Sequence, residues 1–178
     1  KYTKQMDFKT ADVADIGVDS KAGLWAVGAD LRKYNPTNGA QLFIVPKATV
    51  DPVNRPGIAV RGDDVFAMER TTKTYKAGHW TRIVKLDLAG KLVSKFDFES
   101  VSPRHLHVTS SGLFILADPG AGRTTVLLAD GTPHSYLAST ALTTIVDGDG
   151  RVVSLHGKAA DQRFLQGNDG VSADCKDG

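Results

Sequence analysis

At 178 residues the chain is long enough to bury a sizeable core in one domain. A net charge of +2 leaves neither a polybasic nor an acidic tail, so nucleic acid and anionic membrane surfaces are not expected partners. No apolar run approaches the roughly 20 residues that span a bilayer, and a single cysteine, Cys175, excludes an internal disulfide framework.

The chain opens at Lys1 and shows no signal peptide, so it reads as a mature, trimmed or partial form. Its first candidate strand is Lys4-Gln5-Met6-Asp7-Phe8. A short apolar strand, a tight polar turn and a second apolar strand then follow, and this grammar occurs four times. Ile16-Gly17-Val18-Asp19 leads through Gly23 into Leu24-Trp25-Ala26-Val27. Pro56-Gly57-Ile58-Ala59-Val60 leads through Arg61-Gly62-Asp63-Asp64 into Val65-Phe66-Ala67-Met68-Glu69. Leu106-His107-Val108-Thr109 leads through Gly112 into Leu113-Phe114-Ile115-Leu116. Thr144-Ile145-Val146-Asp147 leads through Gly150 into Val152-Val153-Ser154-Leu155.

Two further strands complete each unit. They are expected at 31–34 and 41–45, at 82–88 and 92–98, at 124–128 and 134–137, and at 162–165 and 171–173. Asn38-Gly39, Ala89-Gly90, Asp130-Gly131 and Asn168-Asp169-Gly170 mark the turns between them, where Gly, Asn and Asp tolerate positive φ. In the second unit Val84, Leu86 and Leu88 share one face and Lys85 and Asp87 the other, a period of two. Helical periodicity is nearly absent; 138–143 is too short, and 159–161 offers one turn at most.

The anchors Ile16, Ile58, Leu106 and Thr144 are separated by 42, 48 and 38 residues on subtraction of their numbers. That matches the ~40–50 residues of a four-stranded propeller blade. The expected fold is therefore all-β: a β-propeller of about four four-stranded blades in one domain, with repeats at about 13–50, 55–100, 103–138 and 141–175. Phe8 stands eight residues before Ile16, as Phe98 stands eight before Leu106. The segment 1–9 reads as an outer strand. It either closes a small ring by pairing with the fourth repeat or belongs to a larger propeller, completed by further blades, an oligomer or another chain.

Pro56 to Phe66 with Arg82-Ile83-Val84-Lys85-Leu86 and Gly90, and Pro103 to Asp118 with Val126-Leu127 and Gly131, resemble NHL repeats. They also resemble blades of SMP-30-type lactonases and of streptogramin-lyase-like propellers. The first repeat, with Leu24-Trp25-Ala26-Val27 and Tyr34, is similar to a tectonin repeat. The NHL and SMP-30 likeness implies a propeller that usually has six blades. The SMP-30 likeness implies a divalent metal held by Glu, Asn and Asp residues; Glu69 closes a second strand here, and the family's set is not matched residue by residue, with no partner Asn beside it.

In a propeller, loops on one face carry ligands. The stretch 70–80 is longer than its counterparts, polar and basic. Its Arg70, Lys73, Tyr75, Lys76, His79 and Trp80 are candidates to grip a sugar or a protein partner, with Arg104 and Arg123 nearby. The competing reading of 70–80 is an extended hairpin with Trp80 packed on the blade. His105 and His107, two apart on a strand, point the same way. They suit a metal if Glu69, Asp118 or His156 supplies a third ligand; the competing reading is a hydrogen-bonded pair. Asp147-Gly148-Asp149-Gly150 reads as a tight turn, lacking the remaining ligands of a calcium loop. Asp118-Pro119-Gly120-Ala121-Gly122-Arg123 reads as a loop with no helix behind it. Trp25, Phe66, Phe114 and Val153 hold matching second-strand positions and suit packing between blades. No nucleophile elbow is present.

The expected function is a non-enzymatic binding module presenting a loop face to a protein or glycan, with no cofactor. A metal-dependent lactonase- or lyase-like propeller is the alternative, and a structural part of a longer multi-blade protein a third. An extracellular or periplasmic location is favoured.

Overall fold

A computed structural model of the chain describes residues 13–52, 57–75, 78–138, 143–146, 152–158, 162–166 and 172–174, with side chains over 13–52, 57–69 and 81–137. The expected N-terminal strand, the Asp147 to Gly150 turn and Cys175 lie outside the described residues.

Within those residues the chain is all-β, and its strands fall into four sheets of four. The first holds β1 (Asp15–Val18), β2 (Leu24–Val27), β3 (Leu31–Tyr34) and β4 (Gln41–Ile44). The second holds β5 (Ile58–Arg61), β6 (Asp64–Tyr75), β7 (Gly78–Leu86) and β8 (Leu92–Ser100). The third holds β9 (His105–Val108), β10 (Phe114–Asp118), β11 (Arg123–Leu127) and β12 (Pro133–Ala138). The fourth holds β13 (Thr143–Val146), β14 (Val152–Lys158), β15 (Gln162–Gln166) and β16 (Ser172–Asp174). Each sheet is ordered as the chain runs, so every connection within it is a hairpin.

Within the stretch 70–80, residues 70–75 and 78–80 are strand. β6 continues to Tyr75 and β7 starts at Gly78, which makes it the extended end of a hairpin. Thr71-Thr72-Lys73-Thr74-Tyr75 is rich in β-branched and aromatic residues that favour extended backbone, in line with the extended-hairpin reading of this stretch.

Four turns use one backbone solution. In 19–23, 87–91, 109–113 and 128–132 the first residue donates its N–H to the carbonyl of the fifth. The fourth donates to the carbonyl of the first. The fourth residue is left-handed each time: Ala22 at φ 60°, Gly90 at 77°, Gly112 at 89° and Gly131 at 88°. This is a three-residue hairpin loop with a left-handed bulge residue. Where the first residue carries an acceptor it caps the N–H of the fifth: Asp19 to Gly23 at 2.7 Å, Asp87 to Lys91 at 2.9 Å, Thr109 to Leu113 at 3.0 Å.

Strand register corrects one sequence alignment. Ile16, Ile58, Leu106 and Thr144 face Ala26, Ala67, Leu116 and Ser154. One residue on, Trp25 faces Gly17, Phe66 faces Ala59, and Val153 faces Ile145. In the third sheet that position is Ile115, opposite His107; Phe114 pairs with Val108 instead. Aligning Gly23 with Gly112 causes the slip, because Gly23 is the fifth residue of its turn and Gly112 the fourth. A one-residue slip exchanges the two faces of a strand.

The chain forms two compact units, residues 1–69 with 84–95 and residues 70–83 with 96–178. In the first, Trp25, Val27, Leu31, Val45 and Val50 pack with Ile58, Val65, Ala67, Val84 and Leu86. Trp25 is fully buried, edge-on to Phe43 at 5.6 Å between ring centres. Its indole Nε1–H donates to Asp19 Oδ2 at 2.9 Å, and the Lys33 ammonium bonds the same oxygen at 2.8 Å. In the second unit Ile115 and Val126 pack with Leu113 and Leu137, and Phe96 meets Phe114 edge-on at 5.3 Å.

Candidate functional site: the Asp118 end of the third sheet

Asp118 closes β10 and is 2 % exposed. One carboxylate oxygen accepts the Val101 N–H at 2.8 Å. The other accepts the N–H groups of Ser102 at 2.8 Å and Ala121 at 3.2 Å. The last bond caps the 3-10 turn Pro119–Ala121, which ends on left-handed Gly122. One buried carboxylate thus ties the β8–β9 connection to the β10–β11 turn. The fit is close: a Cβ on Gly120 would stand 2.7 Å from Ser102 Cβ and 3.1 Å from Ser102 N.

Three residues lie in a row across this end. Arg104 N–H donates to Ala117 O at 2.9 Å, which sets Arg104 at the entry to β9. Asp118 pairs with Arg123 at the start of β11. With strands about 4.8 Å apart, the Arg104 and Arg123 backbones stand about 10 Å apart on either side of Asp118. Arg104 is exposed. The Arg123 guanidinium lies 4.4 Å from the ring centre of Tyr136, a diagonal cross-strand neighbour that is 51 % exposed. Arg123 Nε is buried and meets no acceptor among the described residues. The Asp118 carboxylate is taken by three backbone N–H groups, while Arg104 is exposed and partly buried Arg123 lies against exposed Tyr136. Guanidinium groups pair with carboxylates and other anions through charge-assisted hydrogen bonds.

Next along β9, His105 and His107 share a face and are partly buried, while Leu106 and Val108 on the other face are buried. Burial, and then the neighbouring His105, hold the His107 pKa below the usual imidazole range. A neutral imidazole can ligate a metal, but a closed site needs further ligands. Among the described residues no three His, Cys, Asp or Glu side chains converge. Asp118, a candidate third ligand, already accepts three hydrogen bonds within the fold. Glu69, another, accepts the Asp51 N–H at 2.9 Å and so holds the loop after β4. His156 falls on β14, with its side chain outside the described set.

Of the residues expected to bind a ligand, strand pairing brings Arg104 and Arg123 together. Arg70, Lys73 and Tyr75 fall on β6, and His79 and Trp80 on β7, as backbone positions only; Lys76 is outside the described residues. Tyr136 was missed. The signal for it was available, since a strand pair starting at Arg123 and ending at Ala138 places position 136 diagonally beside Arg123.

No protein-family model matches the chain, and no curated protein matches it significantly. Solved structures do. A Bacteroides caccae protein of unknown function superimposes with a TM-score of 0.65 at 9 % identity, over 90 % of this chain and 59 % of that one. Streptogramin B lyase gives 0.60 at 15 %, over 89 % and 52 %. Virginiamycin B lyase from Staphylococcus aureus gives 0.58 at 11 %, over 92 % and 55 %. The fold is that of a β-propeller built from four-stranded blades. The chain spans a little over half the length of these structures.

Proposed function

We propose that the chain is a propeller binding module of the NHL type, and that the Asp118 end of its third blade receives a carboxylate-bearing ligand. The observation that carries this reading is the disposition of charge. Asp118 is buried and occupied by backbone N–H groups, while Arg104 is exposed and Arg123 rests on exposed Tyr136. The extended β6–β7 hairpin, with Arg70, Lys73, Tyr75, Lys76, His79 and Trp80, supplies a second basic and aromatic element for the same ligand. The carboxylate belongs to an acidic protein segment or an acidic glycan. No nucleic acid is involved.

Arrays of acidic peptides and of neutral and acidic glycans separate the two sources. Binding is expected to weaken with salt and to be lost in Arg104→Ala and Arg123→Ala. Absence of binding to every carboxylate-bearing probe refutes the reading, as does binding that both variants retain. Loss in Tyr136→Ala but not Tyr136→Phe would identify the ring as the part that matters.

A metal-dependent lyase-like activity is the second reading, favoured by the likeness to two lyases and by the His105 and His107 pair. It predicts a rise in melting temperature with a divalent cation that His105→Ala and His107→Ala abolish. No shift with Mg2+, Mn2+, Ca2+ or Zn2+ counts against it.

A further inference from the structure

Asn38 and Gly39 lie in the outer hairpin turn of the first blade, between β3 and β4. The backbone sets this turn: the Asn35 N–H donates to Ala40 O at 2.8 Å, and the Gly39 N–H donates to Asn35 O at 2.9 Å. Gly39 is left-handed at φ 69°, and Asn38 beside it is exposed. The Asn38 Oδ1 accepts the Ala40 N–H at 3.0 Å, so the carboxamide folds back along the chain and spans Gly39.

That arrangement meets the requirements of an intramolecular attack on the carboxamide. The nucleophile is the Gly39 nitrogen, which has a proton to lose and no Cβ beside it to block the approach. The electrophile is Asn38 Cγ. The Ala40 N–H already bonded to Oδ1 stabilises the negative charge that gathers there as the nitrogen adds. Both groups sit on adjacent residues, so no partner has to be brought in. Asn35 is the counter-example in the same turn. Its Oδ1 accepts the Thr37 N–H at 2.8 Å, an equivalent bond, but its neighbour Pro36 has no N–H. Asn54 and Asn168 lie outside the described residues and precede Arg55 and Asp169, whose side chains crowd the nitrogen.

We propose that Asn38 is a site of spontaneous deamidation, a one-way change of charge at the outer hairpin of the first blade. The Gly39 nitrogen gives up its proton and bonds Asn38 Cγ. The carboxamide nitrogen takes up a proton and leaves as ammonia, and a five-membered succinimide remains. Water adds to either carbonyl of that ring and reopens it to aspartate or to isoaspartate, so one water is consumed for each ammonia released. The Gly39 N–H has to leave Asn35 O first, which makes the folded chain slower than the unfolded one. Each event lowers the net charge of +2 by one.

Peptide mapping of the full chain, incubated folded and in urea in mildly alkaline buffer, tests the proposal. The tryptic segment 34–47 holds both Asn35 and Asn38, so fragmentation assigns the change within one peptide. In the folded chain a progressive loss of Asn38 is expected, faster at higher pH because only the deprotonated nitrogen attacks. Aspartate and isoaspartate should both accumulate while Asn35 stays intact. Asn38→Gln, which needs a larger ring, should leave the segment unchanged over the same period. Asn38 left intact in the folded chain, with the unfolded chain as the check that conversion is detected, would overturn the proposal. So would conversion of Asn35 at the same rate, or aspartate as the sole product, which would mean direct hydrolysis without Gly39.

Discussion

The ring of Phe43 occupies the space where Gly90 would carry a side chain. A Cβ there would lie 2.9 Å from Phe43 Cε2 and 3.2 Å from Val45 Cγ2, and the residue is left-handed at φ 77°. The outer strand of the first blade is thereby seated on the outer turn of the second. Gly90→Ala meets two penalties, about 1–2 kcal/mol for the left-handed backbone and about 1–3 kcal/mol for displacing a packed ring. Gly62, at φ 60° with nothing within 4 Å of its Cβ position, isolates the first. Urea unfolding should show Gly90→Ala clearly more destabilised than Gly62→Ala. Equal losses would mean that Phe43 moves aside freely.

The same turns show what was legible in the sequence. Period-two alternation and glycine punctuation were enough to place β1 to β4 within a residue, because both are local. The extended β6–β7 hairpin was legible only as one of two readings of 70–80, since polar Thr and Lys serve an exposed strand as well as a loop. The role of Asp118 was also hidden. Its carboxylate reaches Val101 and Ser102, seventeen and sixteen residues away in sequence, and only the fold brings their N–H groups to it. The left-handed position in the first turn was concealed because Ala22 stands there.

Ala22 is the one non-glycine residue with positive φ among the described residues, at 60°. Its three counterparts in equivalent turns are glycines. Ala22→Gly relieves the left-handed penalty but adds freedom to the unfolded chain, so a net gain of about 0.5–1 kcal/mol is expected. The thermal midpoint should rise while binding is unchanged. A fall in stability would show that the Ala22 methyl group makes a contact worth more than the strain.

Asp19 joins four groups in the first blade. Its oxygens accept from the Lys21 and Gly23 N–H groups, the Trp25 indole and the Lys33 ammonium, and Lys33 also donates to Leu88 O at 3.1 Å. Burial alone would raise its pKa. The hydrogen bonds from Lys33, Trp25 and Gly23 outweigh burial and hold the carboxyl below its ordinary value of 3.8. A group depressed on folding contributes stability that is complete above the ordinary value and is lost as pH falls through the lower folded value. Asp19→Asn should therefore flatten the acid limb of the stability profile below about pH 4. At neutral pH it leaves Lys33 buried without its counter-ion, at a cost of about 3–5 kcal/mol. Adding Lys33→Met should recover part of that loss, because a methionine packs on Trp25 without a charge to satisfy. A double variant as unstable as the sum of the singles would show that the two residues act independently.

Asp118 links the stability of the third blade to the proposed binding end. Asp118→Ala strips three backbone N–H groups of their buried acceptor, and each unsatisfied group costs about 1–3 kcal/mol. Water entering the gap offsets part of this, so a loss of about 2–4 kcal/mol is expected in urea unfolding. The effect on binding runs through position rather than charge. Arg104 and Arg123 remain, and a negative charge beside them is removed, so electrostatics alone would strengthen attraction for an anion. The loops that set their spacing are released, so pre-organisation is lost. Weaker binding of a carboxylate-bearing probe at a temperature where the variant is still folded would show that spacing dominates. Unchanged or tighter binding would show that the two arginines act as mobile charges and that the Asp118 knot serves the fold alone.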